Sequence, residues 1–296
     1  MGPSHQTQAS GTQQAKTAAR ETALLLEHGY CVIPRAMPSD AVAALSDDLA
    51  DTFARTPRSS GAFYGSGSKR FHGLLRRSPK AAAFVAHPAV LEIAQAVLGP
   101  HCDHIQLNLT QAIELLPGAE MQPPHRDEEM WPLRQAGAEY LINVMWPFTP
   151  YTCENGATIV WPGSHRRDGD DSARTAIAIE MVPGDALVFL GSTLHAGGAN
   201  VSELSRRGMI VSYCLGWLKP YELPWLAYPP VVANDFPRDV AALAGYRAHR
   251  PNLGTFEGCC PSTLLQGPVG AIDALLPAQE DAIRHFRSET AGGASS

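Results

Sequence analysis

Residues 182–213 read VPGDALVFLGSTLHAGGANVSELSRRGMIVSY, and this stretch decides the fold that we predict for the chain. A Gly-Asp turn at 184–185 leads into an apolar run, which ends at His195 inside a glycine-rich loop. After the loop, Arg206 and Arg207 open a second apolar run. Short apolar runs bounded by turn residues indicate buried β-strands. His195 therefore stands at the end of a buried strand, beside a loop that can close over a site.

Further short apolar runs extend this pattern through the second half of the chain. EYLINVMW, ATIVW and IAIEMV precede the opening stretch, and ahead of them Ile105, Leu107 and Leu109 alternate with polar residues. Gly, Pro and Asn turns separate the runs. A series of about eight short strands with such turns is typical of an antiparallel sandwich or barrel.

The residues before Pro100 follow a helical period instead. ETALLLEHGYCVIP predicts a short helix, a turn at His28-Gly29 and a strand from Tyr30 to Ile33. PSDAVAALSDDLADTFA predicts a helix with a Ser39/Asp40 cap and apolar residues at 42, 45, 49 and 53 on one face. SPKAAAFVAHPAVLEIAQAVLG predicts one or two more helices that end at Gly99. Helices first and strands afterwards predict an α+β, mainly β fold with the helices packed on one sheet.

Composition argues against several classes of protein. The 296 residues carry a net charge of −6, and Lys and Arg are scattered along the chain, so we expect no nucleic-acid partner. No stretch has the roughly 18 apolar residues that a membrane span needs, so we expect no membrane partner. The six cysteines lack CxxC spacing, which indicates free thiols and a cytoplasmic protein.

The chain shows no internal repeat and no interior linker. We expect a flexible tail over residues 1–18, which are polar, and one domain over 19–296. Within that domain, the strand-rich core covers about residues 101–218. A covering segment rich in Pro, Trp and Tyr follows at 219–296.

His125 and Asp127 form a candidate metal site in the stretch QPPHRDEEMW, residues 122–131. On a strand, residues two apart point to the same side, so an imidazole and a carboxylate can share one target. His195 is the candidate third ligand. Two histidines and one carboxylate that leave open positions form the facial arrangement of non-haem Fe(II) oxygenases. The open positions admit a bidentate cosubstrate and dioxygen, and Arg206 or Arg207 supplies the cation that a dicarboxylate needs.

The ordered motifs HRD…NGATIVWPGSH…LHAGGAN…RRG resemble the phytanoyl-CoA dioxygenase family of Fe(II)/2-oxoglutarate oxygenases. The match covers roughly Tyr30 to Leu218. The resemblance implies a double-stranded β-helix, a cupin-like jelly roll with flanking N-terminal helices. It also implies that iron is bound by His125, Asp127 and His195.

The pattern KR…GLLRRSP…HP from Lys69 to Pro88 resembles the bacterial and fungal natural-product branch of this family, which includes enzymes that act on meroterpenoids. The resemblance to this branch implies that Arg70, Gln122 and Thr158 contact 2-oxoglutarate. One arginine of the RRG pair is implied to bind the C5 carboxylate; we prefer Arg207 over Arg206. Halogenating relatives have a small residue in place of the carboxylate at position 127, so Asp127 disfavours halogenation.

We therefore expect a dioxygenase that uses Fe(II), 2-oxoglutarate and O2 to oxidise a small, largely apolar metabolite of secondary metabolism. Hydroxylation is the default outcome, and desaturation or rearrangement are the others. We expect Tyr64, Met130, Trp131 and Trp225 in the substrate pocket, and a homodimer is the candidate assembly. The alternatives are an acyl-CoA hydroxylase, a Zn-dependent jelly-roll hydrolase or isomerase, and a non-catalytic binding module.

Overall fold

The computed structural model describes residues 18–167 and 169–265, and its elements change from helices to strands near Pro100. Residues 1–17 of the predicted tail and 266–296 of the predicted covering segment lie outside the described residues. The domain limits therefore stay predictions. A first helix occupies residues 18–28 (α1), and the other helices are α2 (Ser39–Arg55), α3 (Leu74–Arg77), α4 (Ala81–Val85), α5 (Pro88–Leu98), α6 (Pro224–Ala227), α7 (Pro230–Ala233) and α8 (Arg238–Leu243).

Helix α2 buries the face that the sequence predicts. Its apolar positions 42, 45, 49 and 53 are all buried, as a helical period requires. The expected Ser39/Asp40 cap is wrong: the helix begins at Ser39, Pro38 occupies the N-cap position, and no side chain caps it. The Asp40 carboxylate instead accepts a hydrogen bond from the next amide, Ala41 N, at 2.8 Å.

Nine strands in the described residues form two antiparallel sheets, which confirms the predicted jelly roll. The major sheet has the order β1-β7-β4-β9-β3-β2 and the minor sheet β6-β5-β8. The strands are β1 (Tyr30–Ile33), β2 (Ser68–His72), β3 (Ile105–Leu115), β4 (Leu141–Pro147), β5 (Thr158–Val160), β6 (Ile177–Ile179), β7 (Ala186–Leu190), β8 (His195–Gly197) and β9 (Arg206–Leu215).

A bulge in β3 interrupts the alternation expected for Ile105, Leu107 and Leu109. The register with β9 shifts between Leu107 and Leu109. Ile105 and Leu107 therefore pack in the main core, whereas Leu109 faces the cavity between the two sheets. The shift moves one polar residue, Asn108, into the lining of the same cavity.

The core has two layers, one on each face of the major sheet. The helices cover the outer face, where Phe84 of α4 packs edge-on against Trp146 of β4 with ring centres 5.2 Å apart. The second layer fills the space between the sheets with residues such as Met145, Tyr151 and Phe189. Met145 and Phe189 of this second layer also line the cavity.

Residues 81–101 are long and apolar enough to cross a membrane by length and composition, which the sequence analysis did not anticipate. The stretch is not one helix: α4 ends at Val85 and α5 begins at Pro88. Half of its most apolar window is buried inside the fold, and α5 contacts β3, β4 and β9. This packing is that of a core helix in a globular protein.

Candidate active site

The backbones of His125 and His195 pair directly, and this pairing brings the two imidazoles together. Each residue's amide donates to the other's carbonyl oxygen, and both hydrogen bonds measure 3.0 Å. The ring centres lie 4.3 Å apart. His195 opens β8, and Asp127 begins a 3₁₀ turn (Asp127–Met130) directly after the bridge. The residues that the sequence separates by seventy positions thus meet at one end of the jelly roll.

The three candidate ligands converge on one point. Nε2 of His125 lies 3.4 Å from Oδ1 of Asp127, and Nε2 of His195 lies 3.6 Å from Oδ2. One donor atom from each residue can be chosen so that all three lie within 4.8 Å of one another. Two imidazole nitrogens and one carboxylate oxygen on three corners match the ligand set of non-haem iron.

Backbone carbonyls hold both imidazoles in the tautomer that binds metals. Nδ1 of His125 donates to the carbonyl oxygen of Pro123 at 2.9 Å, and Nδ1 of His195 donates to that of Thr193 at 3.0 Å. A carbonyl oxygen can only accept, so the proton of each neutral ring resides on Nδ1. Each Nε2 therefore presents its lone pair towards Asp127, which is the usual outer support of a ligating histidine.

The electrostatics of the triad favour a cation at this point. Although burial raises the pKa of Asp127, the charges of His195 and His125 outweigh it and hold that pKa at about 2. Burial lowers the pKa of His195. Burial also opposes charge on His125, but the hydrogen bond that the protonated ring donates to Asp127 outweighs burial and raises the pKa of His125. The site thus carries an ionised carboxylate and attracts either a proton or a metal ion.

A single cavity of about 110 Å³ joins the triad to the other predicted cosubstrate residues. Gln122, Thr158, Arg70 and Arg206 all line it. Apolar side chains from four strands of the major sheet make up much of the remaining wall: Leu109, Ile113, Met145, Phe189 and Ile210.

Arg206, and not Arg207, points into this cavity, so the expectation that Arg207 enters the barrel is wrong. Arg206 is 4% exposed, and its guanidinium carbon lies 4.2 Å from the ring centre of Tyr151. Its Nε and Nη1 have no hydrogen-bond partner within the described part of the chain. A Cβ at Gly208 would lie 2.0 Å from the Tyr151 hydroxyl, so only glycine leaves room for this ring.

Arg207 occupies the opposite face of β9. Its Nε and Nη2 donate to Oε1 of Glu114, both at 2.7 Å. Its guanidinium carbon lies 4.8 Å from the ring centre of Phe53 in α2. Adjacent residues on a strand face opposite sides. Because Arg207 forms its ion pair on the outer face of the sheet, Arg206 faces the cavity on the inner face.

Arg70 provides a second, half-buried cation to the cavity. Nη1 donates to Oε1 of Gln111 at 3.0 Å, and the guanidinium carbon lies 4.6 Å from the ring centre of Tyr64. Its Nε has no hydrogen-bond partner among residues 18–167 and 169–265. Burial lowers the pKa of Arg70 to about 10, which leaves it charged at neutral pH. Two guanidinium groups therefore face one cavity whose only carboxylate among the described lining residues is Asp127.

Gln122 and Thr158 are both held in place by β8. The amide of Gln122 donates to the carbonyl of Gly197 at 2.9 Å, and its side-chain Oε1 accepts from the amide of Gly197 at 3.0 Å. Thr158 opens β5 and pairs with Gly197 across the minor sheet. Both side chains reach the cavity next to the triad.

Two of the four predicted pocket residues line the cavity and two do not. Tyr64 and Met130 are in its wall. Trp131 instead donates from its indole to the carbonyl of Lys219 at 3.0 Å. Trp225 donates to the carbonyl of Gly245 at 3.0 Å and is 42% exposed. The predictions for Trp131 and Trp225 are wrong: both indoles donate to backbone carbonyls of the carboxy-terminal segment, and neither side chain lines the cavity.

Aromatic side chains gather at the mouth of the cavity, and several polar residues of its wall were not expected from the sequence. Phe63 packs its ring edge-on against His125 with centres 4.7 Å apart, and the hydroxyls of Tyr64 and Tyr221 lie 3.3 Å apart. Asn143 Nδ2 donates to Oδ2 of Asp127 at 2.8 Å. The available signal was a single polar residue, Asn143, inside the buried strand LINVMWP. Gln111, Asn108 and Ser212 likewise interrupt apolar strands and line the cavity.

A jelly roll with two histidines and one carboxylate around an open cavity defines the non-haem iron oxygenase class. The phytanoyl-CoA dioxygenase (PhyH) family model matches residues 25–208 of the chain. The dioxygenase aneA of Aspergillus aculeatus is 33% identical over 205 residues, which are 63% of this chain and 68% of that protein. The dioxygenase FrzG of a Cladobotryum species is 33% identical, with coverage of 68% and 71%. The chain belongs to the phytanoyl-CoA dioxygenase family.

Solved structures share the fold. The epimerase SnoN of nogalamycin biosynthesis superposes with a TM-score of 0.59 at 19% identity, covering 72% of this chain and 87% of that one. EctD of S. alaskensis superposes with a TM-score of 0.56 at 21% identity, covering 70% and 82%. With the family match and the triad, the expected enzyme class is confirmed: an Fe(II)/2-oxoglutarate-dependent dioxygenase.

Proposed function

We propose that His125, Asp127 and His195 hold Fe(II) and that Arg206 binds the distal carboxylate of 2-oxoglutarate. The enzyme then oxidises a small, largely apolar metabolite of secondary metabolism. Arg70, Gln122 and Thr158 complete the cosubstrate site.

The observation that carries this proposal is the buried cation of Arg206. A guanidinium that is 4% exposed and lacks partners at Nε and Nη1 is costly to bury. That cost is offset when an anion enters the cavity and accepts two parallel hydrogen bonds. A dicarboxylate fits, because its second end can reach the triad in the same cavity.

The charge balance of the cavity agrees with a divalent ion and a dianion. Arg70 and Arg206 contribute two positive charges, and Asp127 contributes one negative charge. A divalent ion raises the total to plus three, and a dicarboxylate lowers it to plus one. When bound, the iron supplies the oxidising chemistry with O2. The chain's own residues orient the cosubstrate through Arg206 and Arg70 and restrict water through the apolar wall.

The outer part of the cavity supports an apolar substrate. Phe63, Met130 and Tyr221 lie there and are 40–50% exposed, and Tyr64 lies beside them. None of these four is cationic, so these side chains offer no ion pair to the phosphates of an acyl-CoA. Among the structural relatives, SnoN is an epimerase and SnoK a carbocyclase. We accordingly include rearrangement and desaturation beside hydroxylation.

The alternative of a Zn-dependent hydrolase or isomerase does not explain why Arg206 and Arg70 face the cavity. Such an enzyme needs a metal-bound water but no dicarboxylate. A non-catalytic binding module equally leaves the tautomer-fixed triad unexplained. The two guanidinium groups in the cavity therefore support the oxygenase over both rivals.

Succinate formation tests this proposal. Enzyme loaded with Fe(II) under anaerobic conditions is mixed with 2-oxoglutarate, air and a panel of terpenoids, polyketides and acyl-CoA thioesters, with His195→Ala as the matched control. We expect succinate above the background only with an apolar panel member. Succinate with acyl-CoA thioesters alone would overturn the substrate class, and failure to bind 2-oxoglutarate would overturn the cosubstrate.

A small-molecule substrate agrees with the enzyme family. We propose a cytoplasmic location, which is supported by the free state of all six cysteines. We also propose that the enzyme uses neither nucleic acid nor a membrane as partner and forms a homodimer. Light scattering of the purified protein measures the last of these.

A further inference from the structure

We propose that Asn143 is a positioning residue that restricts Asp127 to a single metal-binding oxygen. The inference rests on the proposed function, in which Asp127 is an iron ligand. It concerns a residue of β4 that is distant in sequence from all three candidate ligands.

Asn143 is held rigidly by the sheet around it. β4 lies between β7 and β9, and Asn143 pairs with Phe189 on one side and Ser212 on the other. The side chain is 1% exposed and faces the cavity. A buried amide in the middle of a six-stranded sheet has little freedom to move, so the direction of its Nδ2 is fixed.

That fixed donor selects between the two carboxylate oxygens. Nδ2 of Asn143 donates to Oδ2 of Asp127 at 2.8 Å. Oδ1 lies 3.4 Å from Nε2 of His125 and receives no comparable donor from the described residues outside the triad. The amide withdraws charge from Oδ2 and sets the plane of the carboxylate, so Oδ1 remains the stronger ligand atom.

The use of a single Asp127 oxygen matters because it determines how many coordination positions of an octahedral iron stay open. Two imidazoles and one carboxylate oxygen leave three positions, which a bidentate cosubstrate and dioxygen fill. If Asp127 used both oxygens, it would occupy the position that dioxygen needs. Asn143 thus keeps one position open by engaging the oxygen that would otherwise close it.

A purely structural explanation makes a different prediction. A buried Asn needs a hydrogen-bond partner, and Asp127 provides one. If that were its whole role, replacing Asn143 would change the stability of the fold but not the coordination of the metal.

The experiment uses Co(II) as the probe, since its visible absorption intensity reports the coordination number. Asn143→Leu removes the donor and keeps the branching of the side chain at Cγ, and Asn143→Ala is the second variant in case the larger Leu does not fit. Val144→Ala is the matched control: Val144 is the next residue of β4, its side chain packs in the core layer on the opposite face of the sheet, and it does not line the cavity. Circular dichroism and thermal unfolding check the fold of each variant.

We expect the Asn143 variants to bind Co(II) about 10- to 100-fold more weakly, as loss of an outer-shell partner does, and to show an altered absorption spectrum. Val144→Ala should match the wild type in both measurements, even if its melting temperature falls. A folded Asn143 variant with wild-type affinity and spectrum would overturn the inference, even if its melting temperature falls. A wild-type protein that binds no Co(II) would instead overturn the proposed function.

Discussion

Exchanging one arginine of the adjacent pair tests which side chain anchors 2-oxoglutarate. Arg206→Gln removes a buried guanidinium that has no ion-pair partner in the described residues, whereas Arg207→Gln breaks the pair with Glu114. The two variants differ by one position and remove the same charge. Arg206→Gln should nevertheless lower only the cosubstrate affinity, and Arg207→Gln should lower only the stability.

The expected magnitudes follow from the contacts. A carboxylate on Arg206 gains two charge-assisted hydrogen bonds at roughly 1.5–3 kcal/mol each. Their loss weakens 2-oxoglutarate binding by about 10²- to 10³-fold after partial compensation by Arg70. The ligand-free Arg206→Gln protein should be no less stable than the wild type, because an uncompensated buried charge has gone.

Arg207→Gln should bind 2-oxoglutarate as the wild type does but unfold more easily. Its Glu114 partner is only 3% exposed and would keep Lys69 alone, at 3.3 Å. Because the Arg207 side chain is 34% exposed, solvent screening reduces the cost to about 1–2 kcal/mol. Anaerobic calorimetric titration of 2-oxoglutarate with Co(II) present measures affinity, and urea unfolding measures stability. Weakened binding in Arg207→Gln with normal binding in Arg206→Gln would refute the reasoning.

Three further predictions follow from single contacts. Asp127→Ala should lose Fe(II) retention with the fold intact; metal analysis after gel filtration checks this, and normal succinate formation would contradict the triad. Burial raises the pKa of Glu139 to about 7, so the stability that its protonated form contributes is complete below pH 4.5 and is lost as pH rises to about 7. Glu139→Gln should therefore unfold like the wild type at pH 4.5 but be up to about 3 kcal/mol more stable at pH 8; equal urea midpoints at pH 8 would contradict this. Tyr221→Phe removes the contact with the Tyr64 hydroxyl at 3.3 Å and should speed trypsin cleavage after exposed Arg58 up to about fivefold; an unchanged band pattern over time would contradict it.

Local patterns in the sequence determined most of the architecture and the identity of the triad. The helix ending at the His28-Gly29 turn and the strand Tyr30–Ile33 follow directly from local periodicity and turn residues, and the structure has both. The H-x-D spacing and the histidine in a glycine-rich loop likewise lie within short segments. Such features are readable because a single period or turn specifies them.

Tertiary structure alone decided which side chains reach the cavity. Because side chains alternate along β9, one of Arg206 and Arg207 must face the cavity. Which of them does so depends on the pairing of β9 with β3 and β4. Trp131 and Trp225 lie in segments without regular alternation, so the carbonyls they contact, rather than their composition, determined their direction. Asn143 reaches Asp127 only because sheet register brings a central strand beneath the 3₁₀ turn. Register is a long-range property, since a slip by one residue turns every side chain to the opposite face.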